Sequence, residues 1–106
     1  MEPGYEIIFI APQNRRHEGT RVIELVIDKA HELGIRQYTK RMDSEGQGQH
    51  GKMHSAHFFE LADQPVEVVF VLDERLGGQL MDAVEATGAH VFCIRKPVEF
   101  GEFGAP

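Results

Sequence analysis

The densest concentration of chemically capable residues is Glu45-Gly46-Gln47-Gly48-Gln49-His50-Gly51-Lys52-Met53-His54-Ser55-Ala56-His57. Two chemistries compete for it. Gly46 and Gly48 let backbone N–H groups approach a ligand closely, and a nest of such groups is a natural anion cradle. His50, Met53, His54 and His57 supply imidazoles and a thioether, which suit Zn and Cu. Strand geometry sends His54 and His57 to opposite faces, so this set converges on one ion only if the loop folds back. Ser55 beside His54 has the atoms of a hydrolytic pair, but there is no third orienting group and no G-x-S-x-G elbow. The plain alternative is that Gly46 and Gly48 serve a turn. A hairpin connection needs only about two to five residues; this one is longer and therefore predicts a role beyond reversing the chain.

The flanking segments alternate strand and helix signals. Tyr5–Ile10 is β-branched and aromatic and closes at Pro12, predicting a first strand. Thr20 is the expected N-cap of a helix carrying Val22, Ile23, Val26, Ile27, Ala30 and Leu33 at helical spacing, with Gly34 ending it. A polar second strand is expected from Arg36 to Asp43, where Lys40 and Arg41 point to opposite faces. His57–Leu61 and Val66–Leu72 form a third strand region, with Pro65 marking a break, bulge or edge. Asp73 is the expected N-cap of a second helix ending at Gly88, although Gly77-Gly78 weakens it by about 1 kcal/mol each. Val91–Arg95 reads as a fourth strand stopped by Pro97. The order βαββαβ is ferredoxin-like: an α+β fold with one antiparallel sheet and both helices on one face.

At 106 residues the chain is read as one domain over 1–106, with a mobile tail at about 101–106. A net charge of −6 argues against a nucleic-acid partner, because neutralising phosphates needs a basic surface. No apolar run approaches the roughly 18 residues of a membrane span, and no signal-peptide pattern opens the chain; a cytoplasmic location is expected. Cys93 is the single cysteine, which excludes an intrachain disulfide, and it is expected as a buried core thiol. His17 and His31 are expected at the surface. Arginines follow the first strand in Pro12-Gln13-Asn14-Arg15-Arg16-His17, but without the glycines that an acylphosphatase-type phosphate loop requires.

The element order, the long connection after the second strand and its Glu45-Gly46-Gln47-Gly48 together resemble the PII signalling superfamily. The nearer resemblance is to a family of small uncharacterised PII-like proteins carrying E-G-x-G followed by a basic residue, a hydrophobic residue and H-[ST]-A, here Lys52-Met53-His54-Ser55-Ala56. Gln64–Val68, Thr87-Gly88 and Pro97-Val98-Glu99 fit the same pattern, and the resemblance runs from about Tyr5 to Phe100.

This resemblance implies a homotrimer with adenine nucleotides in the clefts between subunits and no required cofactor or catalytic activity. Carried over by position, Gly46, Gln47 and Gly48 would offer N–H groups to phosphates. Gly88 and His90 would stand in the shorter nucleotide-contacting loop, and Arg95 and Lys96 would be phosphate partners. Gln49, His50, Gly51 and Lys52 would form the loop that engages a target, such as a membrane transporter. The long basic glycine-rich loop of nitrogen-regulatory PII proteins is absent, leaving only Thr87-Gly88-Ala89-His90, and so is the uridylylated tyrosine. ADP, AMP or cyclic AMP is therefore expected rather than 2-oxoglutarate with Mg·ATP. Bicarbonate is a plausible second effector by analogy with PII-like proteins of inorganic-carbon uptake. Each carried-over residue has a plainer role available: Gly88 as a helix C-cap, Arg95 and Lys96 as solvated strand-end charges. The alternative function is a trimeric Cu or Zn protein using His50, Met53, His54 and His57.

Overall fold

The computed structural model describes residues 1–42 and 64–105. The connection Glu45–His57 and the predicted strand segment His57–Leu61 lie outside these residues.

A four-stranded antiparallel sheet organises the chain. Its strands are β1 (Glu2–Pro12), β4 (Thr39–Met42), β5 (Pro65–Asp73) and β6 (Phe92–Phe100), in the order β4-β5-β1-β6. Helices α1 (Val22–Glu32) and α2 (Glu74–Ala86) pack on one face. Period-two alternation decides which side chains meet them. Ile7, Phe9 and Ala11 of β1 and Val66, Val68, Phe70 and Leu72 of β5 form a single core with Val22, Val26 and Ala30 of α1 and Leu80 and Val84 of α2. Phe9 meets Phe70 edge to face, ring centroids 6.1 Å apart, a geometry the ring quadrupoles favour.

Both helix ends are set by local chemistry. Asp73 caps α2 as expected, its carboxylate accepting the Leu76 N–H at 2.7 Å. At the end of α1, the Gly34 N–H reaches the His31 carbonyl and the Ile35 N–H reaches that of Ala30, closing a Schellman motif with Gly34 at φ 81°. The start of α1 differs from expectation. Thr20 belongs instead to a small hairpin, β2 (Arg16–His17) with β3 (Thr20–Arg21), so Arg21 becomes the N-cap and gives no side-chain cap. Glu18 and Gly19 join the two strands at φ 50° and 87°, both positive as a tight two-residue hairpin turn demands.

Strand lengths also depart from the sequence reading. β1 and β6 are longer, because pairing from Glu2↔Phe100 to Ile10↔Phe92 carries both strands past Pro3 and Pro97. Pro97 is tolerated because β6 is an edge strand, where a missing donor can face away from the ladder. Pro65 opens β5. The second strand shrinks to Thr39–Met42. Gly77-Gly78 lies inside α2, and the first of the pair is explained: a Cβ there would come within 3.1 Å of Ile7 Cδ1 and 3.2 Å of Tyr5 Cδ2, so glycine lets the helix sit close on β1. No described residue belongs to a helix long and apolar enough to cross a membrane.

Candidate functional site

The register gathers the sequence-predicted elements at one end of the sheet. Pro12 ends β1 opposite Pro65, Met42 ends β4 opposite Val66, and Phe92 begins β6 opposite Ile10. Both stems of the glycine-rich connection, Met42 and Gln64, therefore stand at this end, and the Gln13 N–H donates to the Gln64 carbonyl at 2.8 Å. The turn after α2 arrives there too. Gly88 adopts φ 77°, while the Thr87 hydroxyl donates to the Val84 carbonyl at 2.6 Å and accepts the Ala89 N–H at 3.1 Å. Arg15 Nη1 donates to the His90 carbonyl at 3.3 Å, and His17 Cε1 lies 3.9 Å from where a Gly88 Cβ would be. The hairpin is thus fastened to the Gly88–His90 turn. An open groove of about 380 Å³ runs from Gly88 along Ala89, Val91, Met81 and Cys93.

The predicted cations of the last strand diverge. Arg95 holds its guanidinium 4.8 Å above the Tyr5 ring, whereas Lys96 points to the other face and pairs with Glu6 at 3.0 Å. Both lie partway along β6, opposite Ile7 and Glu6, rather than at the end that carries Gly88 and His90. Within one chain, then, Gly88 and His90 share the turn after α2, and Arg95 and Lys96 point to opposite faces. Gly46, Gln47, Gly48, Gln49, His50, Gly51 and Lys52, with Met53, His54 and His57, lie outside the described residues. Among the described residues no group of three or more His, Cys, Asp or Glu side chains is placed to hold a metal.

Three residues stand differently from expectation or escaped it. Cys93 is exposed, not buried, because it lies on the edge strand. Partial burial of its thiol still raises its pKa above the ordinary value, opposed by the neighbouring Arg95 charge. His17 is half-buried by its place against Gly88, whereas His31 is exposed as expected. Glu67 is 1% exposed, directly opposite Arg41, whose Nη2 lies 3.4 Å from its Oε1. Lys40 points to the other face of β4, as alternation requires. A glutamate among valines, Val66-Glu67-Val68-Val69, was the available signal for this buried pair.

This architecture is the PII-like fold. CPII from Thiomonas intermedia K12, in a structure with ADP, AMP and acetate, superposes with a TM-score of 0.67 at 16% identity, over 95% of this chain and 91% of that one. The same protein with ADP, AMP and bicarbonate gives 0.60 at 17% identity, over 94% and 90%. A candidate PII-like signalling protein from Thermus thermophilus gives 0.58 at 12% identity, over 92% and 88%. Among curated proteins none matches the chain. Residues 7–100 match the DUF190 family model, described as uncharacterized ACR, COG1993, and the chain belongs to that family.

Proposed function

We propose that the protein is a homotrimeric PII-like regulator that binds ADP or AMP in the clefts between subunits and changes its hold on a target accordingly. Gly46, Gln47 and Gly48 present backbone donors to the phosphates, and the Gly88–His90 turn forms the facing wall. Because Arg95 and Lys96 diverge on one chain, at most one of them serves a given cleft from that chain. Gln49–Lys52 is the segment that meets the target, with bicarbonate as a second effector and an inorganic-carbon transporter as the class of target. The work is regulatory rather than catalytic and is set in the cytoplasm.

One observation carries this reading. A fold shared over nearly the whole chain with a protein whose structures contain ADP and AMP coincides with register that delivers both stems of the glycine-rich connection and the Gly88 turn to one end of the sheet. The test is copurification: the protein is denatured, and the supernatant is analysed by mass spectrometry and for metals. ADP or AMP near one per chain supports the reading. Stoichiometric Cu or Zn with no nucleotide overturns it in favour of the histidine–methionine metal site.

A further inference from the structure

The β2–β3 hairpin sets two arginines against each other. Arg16 and Arg21 are direct cross-strand partners. Side chains so placed lie on one face, and like charges in that relation repel. Little on the hairpin relieves them. Arg16 Nη1 donates to the Gly19 carbonyl at 2.8 Å, and Arg21 Nη1 stands 3.8 Å from Glu24 Oε2, beyond hydrogen-bond length. The Nε of Arg21 is buried without a hydrogen-bond partner among the described residues. The Nη groups of each guanidinium still carry N–H hydrogens that these contacts leave unused, set in a planar fork. A depression of about 390 Å³ opens here, lined by Arg16, Gly19, Thr20, Arg21 and Glu24. No atom lies within 4 Å of where a Gly19 Cβ would project, so that side of it is open. The positive end of α1 also begins at Arg21 without a side-chain cap.

We propose that Arg16 and Arg21 form a binding site for a phosphate-class oxyanion. A tetrahedral anion of two negative charges accepts from both guanidiniums at once and cancels their repulsion, while Glu24 limits its affinity. The site is separate from the nucleotide cleft proposed above. Arg15 and His17 contact the Gly88–His90 turn, and alternation turns Arg16 to the hairpin's other face. Its phosphate is either a free ion or the phosphoryl group of a larger ligand.

Calorimetric titration of the full chain with inorganic phosphate, and separately with ADP, distinguishes these sources. Wild type is expected to bind phosphate, Arg16→Gln and Arg21→Gln to weaken it at least tenfold, and the exposed control Arg75→Gln to leave it unchanged. Glu24→Gln is expected to tighten binding about threefold, a gain that damage to folding cannot mimic. If ADP affinity is unchanged in the arginine variants, the site takes free phosphate and the nucleotide reading stands by itself. If ADP affinity falls in parallel, the two arginines serve the nucleotide itself and the separate site is overturned. Phosphate binding with no response to ADP would sink the nucleotide reading and keep this site. The proposal is overturned if the arginine variants bind both ligands as wild type does, or if wild type binds neither.

Discussion

Among the described residues, the helix-covered face of the sheet buries apolar side chains alone, whereas the opposite face buries Ile8 and Ile10 beside the carboxylate of Glu67 and pairs Glu6 with Lys96. On that second face each edge strand is tied to its inner neighbour by ions directly opposite each other, Arg41↔Glu67 for β4 and Glu6↔Lys96 for β6. Apolar burial is non-directional and supplies most of the driving force for folding. Opposite charges across a ladder add less energy, but they favour one register over its one-residue slips. The first face thus accounts for stability, and the second for alignment of the strands that deliver the site. An uncovered apolar sheet face would by itself call for a partner such as a trimer supplies. Ile8 and Ile10, however, are already buried within one chain, and among the described residues Val71, 45% exposed, is the large apolar side chain that this face leaves open.

The largest break in this comparison is expected from Phe9→Ala. It removes a fully packed ring from the core and should cost about 3–5 kcal/mol in urea unfolding. Next comes Glu67→Gln against Glu6→Gln. The buried carboxylate of Glu67 should cost about 2 kcal/mol when neutralised, while the half-exposed Glu6–Lys96 pair should cost under about 1 kcal/mol. Equal costs for these two would show that burial does not separate the pairs.

Gly48→Val tests the proposed function. A branched side chain in the proposed phosphate approach should weaken ADP or AMP binding at least tenfold, about 1.4 kcal/mol, with the melting temperature unchanged. Unaltered affinity would leave Gly48 a turn residue. The smallest effect is a contrast inside α2. Gly78 has no atom within 4 Å of a Cβ position, so Gly78→Ala should stabilise by up to about 1 kcal/mol. Gly77→Ala should give no such gain, because Ile7 and Tyr5 must shift to admit the methyl group.

The elements legible in the sequence were those carried by local chemistry. Asp73 as a cap, Gly34 and Gly88 as helix terminators, and the period-two core of β1 and β5 all read directly from residue types. What stayed hidden depends on partners remote in sequence. Pro97 looks like a strand end until β6 is known to be an edge, Thr20 like a cap until His17 pairs with it, and Cys93 like core until the sheet order is known. The candidate site divides in the same way. Its glycine-rich connection was visible as a motif, but the fastening of Arg15 to His90 spans 75 residues and has no local signature. Arg95 and Lys96, both expected as phosphate partners, are adjacent in sequence and are sent to opposite faces by strand alternation.

The proposed function requires adenine nucleotide to bind between subunits. It is tested most directly by calorimetric titration with ADP on protein whose mass is followed by light scattering. A species of three chains is expected to take up one ADP per chain, with uptake lost when dilution dissociates it. A monomer that binds ADP with unchanged affinity, or a trimer that takes up none, would contradict it.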